Sequence, residues 1–186
     1  MTYCSACGAQ TVRKIPAGDD HVRDVCEACG TIHYQNPKTI VGTLPFYGNK
    51  VLLCKRAIEP RYGFWTLPAG FLEMGESTWQ GAQRETLEEA GAIVEEGRLY
   101  GVFDLPYISQ IYMFYLAEVV NGSYQAGTES LEVAWFEEET IPWDDLAFTV
   151  VGAMLRRYFD DRRQGVFPTH HRVMQPRQEA WRKHRD

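Results

Sequence analysis

The residue pattern predicts an α+β domain preceded by a small cysteine-stapled ribbon. Three observations carry that expectation. Four cysteines fall in two Cys-x2-Cys pairs within the first 30 residues. Short runs of β-forming residues, separated by turn signals, begin at Thr39. Two segments, Ser77–Gly91 and Thr149–Arg162, carry helix-end signals or helical periodicity. The length of 186 residues suits one ordinary domain plus a small appendage. A composition of 45% hydrophobic and 13% aromatic residues supplies a core and excludes a disordered chain.

The ribbon comes first. Cys4-x2-Cys7 and Cys26-x2-Cys29 are separated by 18 residues. Two such knuckles form the pattern of a four-thiolate zinc site. Zn²⁺ favours four tetrahedral ligands, so a Cys4 set leaves no open position and the metal is expected to be structural. Gly8 and Gly30 follow the second cysteine of each knuckle, where the turn calls for positive φ. Two disulfides are the alternative in an oxidising compartment, and a redox Cys-x-x-Cys would sit in a βαβ unit. The fifth cysteine, Cys54 in VLLCKR, reads as a buried strand residue. Residues 1–36 hold three Lys or Arg against four Asp or Glu, which lacks the basic footprint of a nucleic-acid binder. The ribbon is expected to pack on the main domain or on a partner subunit.

Asn36-Pro37 ends the ribbon, and a main domain is expected over residues 37–163. Thr39–Phe46 and Val51–Cys54 read as strands joined by a turn at Tyr47-Gly48-Asn49. A loop-rich stretch with several Pro and Gly follows. Ser77 opens a helix, with Gln80 completing a capping-box pattern, and Gly91 closes it after Ala90. Further strands are expected near Arg98–Phe103, Gln110–Val120 and Leu131–Phe136, and Thr149–Arg162 reads as a closing amphipathic helix.

The formal charge of −6 argues against attraction to nucleic acid or anionic membrane. That charge is uneven. From Arg162 onward there are seven Lys or Arg and two acids. Residues 164–186 are expected to form a basic tail, either a solvated end or a segment near an anionic ligand or partner subunit. No stretch reaches the ~18–20 apolar residues of a membrane span. The opening MTYCSACGAQ lacks a charged-then-apolar signal pattern. A cytoplasmic location is expected, where thiols stay reduced.

The chemistry gathers in RETLEEAG, residues 84–91. On a helix, Glu85, Glu88 and Glu89 share one face, and like charges one turn apart repel by a few tenths of a kcal/mol per pair. A divalent cation such as Mg²⁺ or Mn²⁺, which takes oxygen ligands and works with phosphates, would offset that repulsion. Arg84 stands one turn from Glu88 and within reach of Glu76. Read alone, the stretch also fits a solvated helix face with one ordinary ion pair.

The wider spacing runs Gly70, five residues, Glu76, seven residues, Arg84-Glu85, two residues, Glu88-Glu89, one residue, Gly91. It resembles the Nudix box, the signature of the Nudix hydrolases. Thr86 and Ala92 stand where that box usually carries bulky aliphatics. The resemblance implies an α/β/α sandwich around a mixed sheet, and hydrolysis of a nucleoside diphosphate linked to another group. It implies that Glu85 and Glu89 are the main metal ligands, with Glu88 a direct or water-bridged one. The Gly70 carbonyl is a further candidate ligand. Arg84 would orient the glutamates, paired to Glu76. The general base would be Glu85 or a loop carboxylate after the box, for which Glu129 and Glu132 in GTESLEVAWF are candidates. For either of those two, a plain surface acid is as good a reading.

The cysteine ribbon, IHYQNPK, VLLCKRAIEPRYGFWTLPAGFLE, the box and DDLAF together are similar to the zinc-ribbon Nudix enzymes that split FAD into FMN and AMP, or ADP-ribose into AMP and ribose 5-phosphate. The NADH pyrophosphatase and NAD-cap RNA hydrolase branch carries a Ser-Gln-Pro-Trp-Pro-Phe-Pro run. The corresponding VFDLPYISQIYMFY lacks it, which lowers but does not remove that alternative. A nucleotide-sensing regulator that binds without cleaving is the alternative of another class. From the residues alone, Arg56 and Arg61 are candidates to hold phosphate. Trp65, Phe103, Tyr107 and Tyr112 are candidates to stack on a base; each taken singly reads more readily as core, and one or two of the set are expected to stack. The resemblance implies a homodimer acting on a small dinucleotide.

Overall fold

The computed structural model describes residues 1–176. The chain forms two compact units, Met1–Pro37 and a second that starts at Lys38.

In the first unit, β1 (Thr11–Lys14), β2 (Arg23–Cys26) and β3 (Ile32–His33) form an antiparallel sheet in that order. The two knuckles close matching turns. Gly8 N–H donates to Cys4 O and Gly30 N–H to Cys26 O, each at 2.9 Å, and both glycines sit at φ 75°. That left-handed backbone is open to glycine without steric penalty.

In the second unit, β4 (Lys38–Tyr47) and β5 (Lys50–Arg56) form the expected hairpin, with Tyr47 opposite Lys50. After it come β6 (Trp65–Thr66), β7 (Ala69–Phe71), α1 (Thr78–Ala90), β8 (Arg98–Leu105), β9 (Gln110–Glu118), β10 (Ser130–Phe136), α2 (Thr149–Gln164) and β11 (His170–Val173). The main sheet runs β10-β5-β4-β9-β8-β11, with β6 beside β5 and β7 beside β4. β4 pairs with β9 in parallel, and β8 with β11; the other pairings are antiparallel, so the sheet is mixed.

The apolar run in β5 shows how the layers form. Val51 and Leu53 face a core shared with Val150, Val151, Met154 and Leu155 of α2. Leu52 and Cys54 face a second core shared with Ala90 of α1. Alternate side chains of a strand point to opposite faces, so a strand covered on both sides reads as a continuous apolar run. Cys54 is fully buried, as its apolar neighbours predict. The sheet lies between the two helices.

Three differences from the sequence expectations matter. β6 and β7 lie in the stretch expected to be loop; strands of two and three residues around Pro68 carry no readable periodicity. α2 extends to Gln164, past the expected Arg162. The tail expected from residue 164 begins largely exposed, but it carries a strand. β11 adds in parallel to β8, His170 opposite Gly101 and Val173 opposite Asp104. His170 Nε2 lies 2.5 Å from the buried carboxylate of Asp161, which also accepts from Tyr100 Oη at 2.6 Å. His171 Nε2 lies 2.7 Å from Asp104. Two carboxylate partners hold a segment whose composition reads as tail. The remainder of that expected tail, residues 177–186, lies outside the described residues. Among the described residues, no helix is long and apolar enough to cross a membrane.

Candidate active site

α1 carries the acidic cluster, and its ends are set locally. The Ser77 side chain accepts from Gln80 N–H at 3.2 Å, and the Gln80 side chain accepts from Ser77 N–H at 2.8 Å. This reciprocal box satisfies two otherwise unpaired donors. Gly91 ends the helix at φ 57°, its N–H donating to Leu87 O. The face against the sheet is Gly81, Ala82, Thr86, Glu89 and Ala90. Thr86 is tolerated on it because its hydroxyl reaches Ala82 O at 2.7 Å and the Thr43 hydroxyl at 2.7 Å. Glu89 is the one charged residue of that buried face.

Arg84 organises the exposed side of the cluster. Its Nε and Nη2 donate to the two oxygens of Glu76 at 3.0 and 2.7 Å. Its Nη1 donates to Glu85 at 2.7 Å and Glu88 at 3.0 Å, and Nη2 also reaches Phe71 O at 3.1 Å. These contacts hold the Glu76 carboxyl down at about 2, through the Arg84 hydrogen bonds and the Glu73 N–H. They raise the Arg84 guanidinium further above its ordinary value, Glu76 first.

Glu85 and Glu89 face inward. A Cβ at Gly70 would fall on the Glu85 carboxylate, so only glycine lets β7 approach it. The Glu85 carboxyl is pushed up by burial, against the pull of Arg84. Glu89, 7% exposed, accepts from Ala69 N–H at 3.1 Å. Burial raises its carboxyl to about 8; Ala69 opposes this, Glu85 and Glu129 add to it, and Arg56 opposes it.

Glu129 is placed here by its backbone. The loop before it caps the last turn of α1, with Gln125 N–H donating to Ala90 O and Gly127 N–H to Glu89 O. Glu129 O then accepts from Ala57 N–H at 2.8 Å. Its charge acts on both Glu85 and Glu89. Glu132 lies elsewhere on β10, 3.7 Å from Lys55 Nζ.

Of the expected substrate residues, Arg56 and Tyr112 come together. Arg56 is 9% exposed, and its charge acts on Glu89 and on Tyr112. Tyr112 stacks on Phe114 with centroids 6.1 Å apart, half-buried against the core. Tyr107 stands on a single turn, Pro106–Ile108, 45% exposed. Arg61 lies over the Phe64 ring at 5.4 Å. Trp65 and Phe103 are core residues at 8% and 3% exposure, which leaves no ring face for a base. Phe148 is absent from the sequence reading and sits under Arg56, its ring centroid 5.2 Å from the guanidinium carbon. DDLAF gave no local signal for it, since the contact joins residues 92 positions apart.

The donor sets fit two kinds of metal. In the ribbon, the four sulfurs lie within 4.8 Å of one another, with Cys4–Cys29 at 3.7 Å and Cys7–Cys26 at 3.5 Å. Tetrahedral zinc with bonds of about 2.3 Å needs sulfur separations of about 3.8 Å. Asp19, Asp20 and His21 also draw together, but Asp20 and His21 are exposed and Asp19 is paired to Arg23 at 2.8 Å. The box glutamates offer the all-oxygen set of a hard divalent cation, and the buried Glu89 beside Glu85 and Glu129 is the group such a cation would relieve. Here Arg84 and the Ala69 N–H hold their oxygens apart.

The NUDIX domain family model matches residues 37–157, and the Nudix N-terminal model matches residues 2–35. A crystal structure of a NUDIX hydrolase from Nitrosomonas europaea superimposes with a TM-score of 0.89 at 52% identity, covering 94% of this chain and 99% of that one. The NAD-capped RNA hydrolase NudC of Vibrio atlanticus is 29% identical over 88% of this chain, which spans 60% of that relative's length. The ADP-ribose pyrophosphatase of Methanocaldococcus jannaschii is 32% identical over 59% of this chain and 67% of its own. With the box helix on one face of a mixed sheet, and the cysteine module where the family's N-terminal model matches, the chain belongs to the Nudix hydrolase family.

Proposed function

We propose that this chain hydrolyses the pyrophosphate bond of a nucleoside diphosphate linked to a second group, with ADP-ribose or FAD as substrate. The observation that carries the reading is the complete carboxylate set of α1, braced by Arg84 and set beside the buried cation of Arg56. A binding-only protein would gain nothing from a glutamate buried at an energetic cost.

Glu85 and Glu89, with Glu88 and the Gly70 carbonyl as further candidates, would hold Mg²⁺ or Mn²⁺. Such ions neutralise phosphate oxygens and acidify a bound water. Arg84 keeps the glutamates in place through Glu76. Arg56 takes a phosphate oxygen pair. A carboxylate accepts the proton from the attacking water. Glu129 serves this role better than Glu132, since its charge reaches the cluster while Glu132 is turned to Lys55. Water adds to one phosphorus, the bridging P–O bond breaks, and the leaving phosphate departs as a monoester. ADP-ribose and water thus give AMP and ribose 5-phosphate; FAD gives AMP and FMN. Zn²⁺ in the ribbon is structural, and the unit of action is a homodimer in the cytoplasm.

The test is a panel of ADP-ribose, FAD, NADH and NAD-capped RNA with Mg²⁺ or Mn²⁺, products separated by chromatography. ADP-ribose or FAD leading in kcat/KM is expected. The similarity to NudC favours a second reading, NAD-cap hydrolysis, and NAD-capped RNA leading would replace the first. No hydrolysis of any member would favour a nucleotide sensor.

A further inference from the structure

We infer that Phe148 is a positioning residue: its ring fixes the plane of the Arg56 guanidinium so that the Nη1/Nη2 edge is presented to the substrate diphosphate. The inference rests on the pyrophosphatase reading above.

Arg56 is a buried cation with an unusual set of neighbours. Among the described residues, no carboxylate oxygen lies within ion-pair distance of it; its side chain meets a carbonyl and a ring. A guanidinium stays charged at any physiological pH, and a buried charge without a counter-charge is unfavourable. Arg56 therefore has no direct counter-ion among the described residues, although acids stand close enough for it to act on Glu89.

What remains open on Arg56 is one edge. Its N–H donates to Phe64 O and its O accepts from Gly63 N–H, both at 2.9 Å. Its Nε donates to Pro60 O at 3.0 Å. The guanidinium carbon lies over the Phe148 ring, 5.2 Å from its centroid. With backbone and Nε taken, the Nη1/Nη2 edge is left, and it is a two-donor fork suited to phosphate oxygens.

Phe148 is held rigidly. It occupies the N-cap position of α2, and its carbonyl accepts from Val151 N–H at 3.1 Å. The preceding Ala147 N–H donates to Trp65 O at 2.8 Å, tying the segment to β6. An aromatic is a poor N-cap, since it makes no side-chain bond to the helix. Helix capping therefore does not account for Phe148; its ring packs against the core on one side and meets Arg56 on the other. Local rules broken without local gain point to functional positions.

The experiment is a cycle of Phe148→Leu, Arg56→Lys and the double variant, with Phe148→Tyr as the conservative control. Steady-state kinetics would use the best substrate of the panel. Titration calorimetry would use inorganic pyrophosphate with Mg²⁺. Phe148→Leu should raise KM about tenfold while kcat changes less than about threefold, and should weaken pyrophosphate binding to match. Phe148→Tyr should restore both within about twofold. The double variant should be no worse than Arg56→Lys alone, because the two residues act as one unit. Additive losses, an effect on kcat alone, or unchanged pyrophosphate affinity in Phe148→Leu would overturn the inference. Should the wild type cleave no dinucleotide, the pyrophosphatase reading falls, while the pyrophosphate titration still decides this one.

Discussion

Arg84 meets Glu76 fork to fork, Nε and Nη2 donating to the two carboxylate oxygens at 3.0 and 2.7 Å. The seven residues between them in sequence span the capped start of α1, so the pair closes the box loop onto its helix. Nη1 is thereby turned toward Glu85 and Glu88. A lysine delivers one point charge and cannot hold this geometry. Arg84→Lys should therefore lower kcat/KM by about 10- to 100-fold, the range for residues that orient metal ligands. It should also raise the Mg²⁺ concentration needed for half-maximal rate. A magnesium titration of the variant measures both, and an unchanged midpoint would count against the orienting role.

Glu89 links catalysis to stability. An ordinary glutamate titrates near 4.5, and burial raises Glu89 to about 8. Between those values the folded state binds the extra proton, so its stabilising contribution is complete below about pH 4.5 and drains away as pH rises to 8. Without divalent cation, Glu89→Gln should be the more stable protein at pH 8, by roughly 2–4 kcal/mol. That advantage should shrink to under about 1 kcal/mol at pH 5. Turnover should drop by at least about 100-fold, beyond what an orienting partner alone contributes. Denaturant melts at the two pH values, with zinc retained and Mg²⁺ omitted, give the first result. Equal stability at both would refute the burial argument.

Gly70 gives a steric test. Its missing side chain leaves room for the Glu85 carboxylate, which a Cβ would strike. The struck group is the end of a flexible side chain, so Gly70→Ala should fold. The displaced carboxylate should lower kcat by about 100-fold, the effect of an ångström-scale misplacement. Circular dichroism and kinetics on one preparation separate the two effects. A fully active Gly70→Ala would remove Glu85 from its assigned position.

The ribbon should be a folding unit of its metal. One zinc per chain is expected from elemental analysis. Cys26, fully buried, lies 3.5 Å from Cys7. Cys26→Ser should abolish stoichiometric zinc and release amide protection across residues 1–37, since small thiolate modules depend on their metal to fold. Hydrogen exchange should leave β4, β5 and β9 protected. Zinc retained at full stoichiometry by the variant would exclude the four-thiolate site.

Much of this was legible in one dimension because the interactions are short in sequence. The knuckle turns, the Ser77 capping box, the Gly91 helix end and the reach of Arg84 to Glu88 each involve residues two to five positions apart. Spacing alone specifies them. The hairpin of β4 and β5 and the burial of Cys54 follow from apolar runs and a turn. By contrast, β6 and β7 are too short for periodicity and exist because β5 and β4 lend them partners. β11 carries two histidines, an arginine and no apolar stripe; Asp161 and Asp104 decide its place.

The sequence by itself determined the ribbon's donor set, the capped acidic helix and the family chemistry, since these rest on residue identity at fixed, short spacings. Only the tertiary structure decided which acids and aromatics reach the cluster. It brought the charge of Glu129 near Glu85 and Glu89 and left Glu132 on Lys55, withdrew Trp65 and Phe103 into the core, and set Phe148 beneath Arg56. The physical reason is that side chains distant in the chain meet only through the packing of helices and sheet. That packing creates a buried cation and a buried carboxylate, and no local pattern records it.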